Sequence, residues 1–148
     1  QGAIVARRGD LRGGIDIMQA AIDAAERSGS LLFRPVQLAT LASAHARLGK
    51  NDLALALLDE AIAAAQRTGE KRADSALHRL RGEILIDTKR ENEARQALVR
   101  SLEIAVAQQA KSEEARTAKA IARLVGERPA RAARIRRPLA ALRSLLGI

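Results

Sequence analysis

Cysteine is absent from the 148 residues. That excludes a disulfide scaffold and cysteine-ligated metal sites, and it fits a reducing, cytoplasmic setting. Tryptophan and tyrosine are absent too, and Phe33 is the one aromatic residue, so a core must be built from Ala, Leu, Ile and Val. Residues that favour strands are few, which makes helix the expected state. The longest wholly apolar run, Leu53 to Leu58, is far too short to span a bilayer. Arg7 and Arg8 have no long apolar run behind them, so no secretory signal is read. There is no initiator methionine, and the expectation is a piece of a longer protein.

What is present is helical periodicity. Phe33 to Glu70 reads as two antiparallel helices joined at Gly49-Lys50-Asn51. Leu41, Leu48, Leu55, Leu58 and Ile62 supply an apolar stripe. Ala42, Ala44, Ala54 and Ala61 sit where the helices must approach closely. Such a hairpin cannot bury both faces alone and calls for stacked copies of itself.

The copies follow at a step of 40 residues. It links Gly2, Ala42, Gly82 and Ala122, then Gly14, Ala54 and Ala94, then Ala21, Ala61 and Ser101. It also links Met18, Leu58 and Leu98, the turn positions Gly9, Gly49 and Lys89, and the breaks Gly29, Gly69 and Gln109. One domain over residues 1–148 is expected: a partial repeat at 1–30, full repeats at 31–70 and 71–111, and a divergent last repeat at 112–148, two residues short between Ala122 and Ala132. About eight helices are expected, the first truncated at residues 1–8. Its truncation would leave Ile15, Met18 and Ile22 without their full partner, an exposed apolar face through which a second copy could associate. Asp10 is the expected cap of a helix ending near Arg27, buried through Ile15, Met18, Ala21, Ile22 and Ala25. Gly29 is its expected C-terminal stop, Pro35 suits a first turn, and Ser112 with Glu113 and Glu114 reads as a helix start. A last helix at about 130–146 should be kinked by Pro138.

Leu41-Ala42, Ala44-His45, Gly49, Ala54, Leu58 and Ala61 together resemble a tetratricopeptide repeat, with longer helices than its usual period of about 34 residues. The runs Ser75 to Leu85, Ala94 to Ala105 and Ala110 to Glu114 resemble the C-terminal repeat region of large bacterial signalling ATPases and adenylate cyclase-type regulators. The resemblance implies an all-α right-handed superhelix of antiparallel helix pairs. It implies a non-enzymatic protein–protein interaction scaffold, the C-terminal regulatory part of a larger bacterial signalling or transcription-regulating protein.

The sequence offers no catalytic or metal-ligating constellation and no cofactor motif. His45 and His78 stand where the repeat usually holds an aromatic and read as packing residues. Asp59-Glu60 and Glu113-Glu114 diverge around a helix and read as solvated surface and caps. Gly13-Gly14 follows no strand and lacks Gly-Lys-Ser/Thr, so it is not a phosphate loop. In a superhelix the first helix of each pair lines the concave face. That register places Ala39, Ser43, Ala46 and Arg47 there, then Arg79, Glu83, Ile86 and Asp87, then Arg116, Lys119 and Arg123. The stripe grows more basic along the chain and suggests an acidic protein segment, or upstream domains of the same protein, as partner.

Of the net charge of +9, +6 falls between Arg123 and Ile148. Arg131, Arg134, Arg136, Arg137 and Arg143 form a candidate basic patch there. It motivates an alternative reading, a nucleic-acid-binding helical module. Against that, no aromatic residue interleaves the arginines for base stacking and no reading helix is apparent.

Overall fold

A computed structural model gives the structure of residues 10–126, Ser144 and Gly147. The described residues form six α-helices and no strand: α1 Leu11–Arg27, α2 Arg34–Arg47, α3 Asn51–Thr68, α4 Asp74–Asp87, α5 Glu91–Ala107 and α6 Lys111–Leu124. Short helices of 14 residues alternate with long ones of 17 or 18. The expected helix at residues 1–8, the last helix with its Pro138 kink and the Arg131–Arg143 patch lie outside the described residues.

The chain divides into two compact units, Gln1–Ala73 and Asp74–Ile148. The division falls three residues from the repeat boundary read at 70/71. In the first unit α2 packs along α3, and α1 along α2. Its core is Ile22, Leu38, Leu41, Leu55 and Leu58 with Ala42, Ala54 and Ala61. The second unit packs α5 against both α4 and α6. There Leu98, Leu102 and Ile121 centre the core, flanked by Leu77 and Leu85. Each fully buried leucine contributes about 1.5–3 kcal/mol. Phe33, the single aromatic, lies outside the core and is 66% exposed.

Helix ends repeat with unusual regularity. Residues 29, 49, 69, 89 and 109 all have positive φ, Gly at the first three and Lys89 (61°) and Gln109 (54°) at the others. After each, the next amide donates to a carbonyl five residues back: Ser30 to Ala25, Lys50 to His45, Glu70 to Ala65, Arg90 to Leu85 and Ala110 to Ala105, at 2.9–3.1 Å. This is the Schellman closure, which satisfies otherwise orphaned carbonyls at a helix end. It recurs every twenty residues.

Lys50, Arg90 and Ala110 close one helix and are also the N-cap of the next. None supplies a side-chain cap. This corrects the reading of Ser112: the helix has already begun at Lys111, and Ser112 lies inside its first turn. Asp10 does cap α1, accepting from the Gly13 amide at 2.9 Å. A Cβ on Gly13 would lie 2.7 Å from Asp10 Oδ2, so glycine there makes room for the capping carboxylate.

The short helices start at residues 34, 74 and 111. The last step is therefore 37, not 40. The contraction lies at the connection 108–110, shorter than 28–33 or 69–73; the shortening expected between Ala122 and Ala132 falls largely outside the described residues. Two burial expectations also change. Ala21 is exposed. Met18 and Ile22 are buried and Ile15 half-buried; among the described residues the exposed large apolar side chains of the first unit are instead Ile17, Leu31, Leu32, Phe33, Val36 and Leu53.

Candidate functional site

The second unit holds a cleft of about 520 Å³ between α4 and α6. Arg79 and Glu83 line it from α4; Arg116, Lys119, Ala120 and Arg123 line it from α6, with Gly126 just beyond. The five charged residues among these are the ones the concave register singles out. The same register in the first unit gives a different surface: Ala39 is buried, Ser43 turns its hydroxyl back to the Ala39 carbonyl at 2.9 Å, and Arg47 is exposed.

Two ion pairs bridge the helices. Arg79 Nε meets Glu113 Oε2 at 3.1 Å, and Arg123 pairs with Asp87. Arg79 and Glu113 lie early in their helices, Asp87 and Arg123 in the last turns. α4 and α6 therefore run in the same direction, as the intervening antiparallel α5 requires. Between the two bridges the side chains leave the cleft open.

Arg79 is held on both sides. It also donates to Glu83 Oε1 at 2.9 Å, and its side chain is 13% exposed. Burial alone would lower its pKa; Glu83 and Glu113 more than reverse that and raise it above the ordinary arginine value. Glu113 is shared, accepting from Arg116 at 2.6 Å as well. Lys119 alone of the lining cations has no ion-pair or hydrogen-bond partner among the described residues.

This changes the electrostatics expected from the sequence. The stripe of Arg79, Arg116, Lys119 and Arg123 carries four positive charges, but Glu83, Glu113 and Asp87 match three of them. These seven described residues carry a net charge of +1. Glu113 and Glu114 are also not solvated surface: their side chains are 14% and 7% exposed, Glu114 being held by Lys111 at 2.9 Å.

Three buried hydroxyls tie the second unit together, and sequence reading did not find them. Ser75 Oγ donates to the Ser101 carbonyl at 2.9 Å, and Ser101 Oγ donates to the Ser75 carbonyl at 2.8 Å. The Ser101 proton is thereby used, so in the 2.8 Å contact between Ser101 Oγ and Thr117 Oγ1 the threonine is the donor. The network joins α4, α5 and α6 in the core. In the first unit Arg34 plays the joining role, paired with Glu26 of α1 and Glu60 of α3.

His45 is buried, and its Nδ1 makes no hydrogen bond. Burial, and secondarily the charge of Lys50, lower its pKa from the ordinary 6.5. His78 is half-buried on α4. Among the described residues no cluster of His, Cys, Asp or Glu could hold a metal ion, and no helix is long and apolar enough to cross a membrane.

Known protein-family models and curated proteins contain no match to this chain.

Proposed function

We propose that the chain is a tandem helical-hairpin repeat of the tetratricopeptide kind, a right-handed superhelix that serves as a non-enzymatic protein-interaction scaffold. In this reading it is the regulatory part of a larger cytoplasmic bacterial signalling or transcription-regulating protein. The Schellman closure every twenty residues and the alternation of short and long helices support the repeat. The observation that carries the function is the open cleft between the parallel helices α4 and α6, lined by Lys119, which has no ion-pair or hydrogen-bond partner among the described residues. A lysine exposed along a cleft attracts and steers a partner of opposite charge.

A photo-crosslinking amino acid at position 116 in the intact protein, compared with one at the exposed Gln96 of α5, tests this in the source cell. A discrete protein adduct is expected from position 116 and not from 96. Equal adducts from both positions would remove the cleft as the binding face, and adducts to nucleic acid would favour the alternative reading.

A further inference from the structure

We infer that the cleft recognises an extended peptide segment bearing one acidic side chain in an otherwise neutral context, not a run of acids. This rests on the scaffold reading and names the partner's chemistry. An Arg- and Lys-lined groove invites a polyacidic ligand on sequence alone. The cross-helix pairing removes that option. Arg79 is spoken for by Glu83 and Glu113, Arg116 by Glu113, and Arg123 by Asp87. A second or third incoming carboxylate would face Glu83, Asp87 and Glu113 with no further unpaired cation among the described lining residues to offset the repulsion. One carboxylate reaching Lys119 meets an ammonium that has no partner among the described residues, and their net charge of +1 is then neutralised. Beside it the floor is Ala120, which leaves room for a neutral side chain and offers no hydrogen bond to a second polar one.

The same geometry states how specificity can be changed. Asp87 is 56% exposed, near the C-terminal end of α4, where a negative charge opposes the helix dipole. Its removal frees Arg123 without costing the fold. Lys119 and Arg123 are four residues apart on α6, about 6 Å along the axis. Alternate residues of an extended peptide are about 6.6 Å apart and point the same way. Asp87→Ala therefore creates a site for a second acid two positions from the first.

A library of random nonapeptides displayed on phage, selected on the full chain and on its Lys119→Ala and Asp87→Ala variants, tests this. The wild-type chain should enrich peptides with one Asp or Glu at a fixed position. In fluorescence anisotropy, replacing that residue with Gln or Asn should weaken a selected peptide about fivefold, as should Lys119→Ala, and the two changes together should cost no more than either. Asp87→Ala should enrich a second acid two positions away. Lys119 is exposed, and unchanged thermal unfolding of the variants confirms that the fold is retained. Acid-rich or acid-free peptides from the wild type, or a single acid whose contribution survives Lys119→Ala, would overturn the inference and leave the scaffold reading standing. Enrichment of no peptide would overturn both.

Discussion

The Cβ that Gly82 lacks would lie 2.7 Å from both Cγ and Cδ2 of Leu98. Leu98 is fully buried, so it has no free volume to retreat into. The residue 40 positions earlier is Ala42, and both positions are buried at a helix contact. The shared requirement is smallness, and the second unit demands the smaller residue. Gly82→Ala gains about 1 kcal/mol of helix propensity but overpacks the core at a cost of about 1–3 kcal/mol. A net loss of about 1 kcal/mol in urea unfolding is expected, relieved when Leu98→Val is added.

The buried hydroxyls give a graded prediction. Ser101→Ala strips the donor to Ser75 and the acceptor of Thr117 and should destabilise by about 1–3 kcal/mol. Thr117→Val keeps the shape and removes only a donor, leaving the reciprocal pair between Ser75 and Ser101 intact. Its cost should be about 0.5–1.5 kcal/mol. Equal losses for the two variants in denaturant unfolding would contradict the assigned direction of the threonine hydrogen bond.

His45 makes stability depend on pH. Its folded pKa lies below 6.5, so between the two values the unfolded chain binds more protons than the folded one. Stability from keeping this imidazole neutral is present above about pH 7, declines as pH falls through 6.5, and is lost below the folded pKa. The position 40 residues later is Leu85, fully buried. His45→Leu should raise the melting temperature most at acidic pH and flatten its dependence between pH 5 and 7, which thermal melts across that range measure.

Lys89 and Gln109 occupy left-handed backbone where the preceding repeats use glycine. A non-glycine residue there costs about 1–2 kcal/mol, against the greater unfolded-state freedom of glycine. Lys89→Gly should stabilise by about 0.5–1 kcal/mol, and Gly49→Lys should destabilise by a similar amount, both measured by chemical unfolding.

Much of the helical layout was legible because it is periodic. The 40-residue step located Ala42, Gly82, Ala54 and Ala94 at buried contacts, and the turn glycines lie at helix ends. The register also drew Arg79, Glu83, Arg116, Lys119 and Arg123 to one face. What it missed is pairwise and non-local. Arg79 and Glu113 are 34 residues apart and Arg123 and Asp87 are 36 apart, so their mutual cancellation leaves no local pattern. Ser101 shares a register with Ala21 and Ala61 and reads there as merely small; its hydroxyl acquires a role only when Ser75 and Thr117 arrive beside it. The start of α6 was misplaced because Ser112 has the chemistry of a cap, whereas the closure at Ala110 had already fixed where the helix begins.

The twenty-residue recurrence of the helix closure also bears on how such a chain changes length. Short and long helices alternate across successive closures, so losing or gaining twenty residues would join two helices of the same kind. Forty residues restore the alternation of short and long helices. A whole hairpin is therefore the unit of length whose gain or loss keeps that alternation. The three-residue contraction at 108–110 marks the kind of small change that a connection between hairpins absorbs while the closure itself is kept.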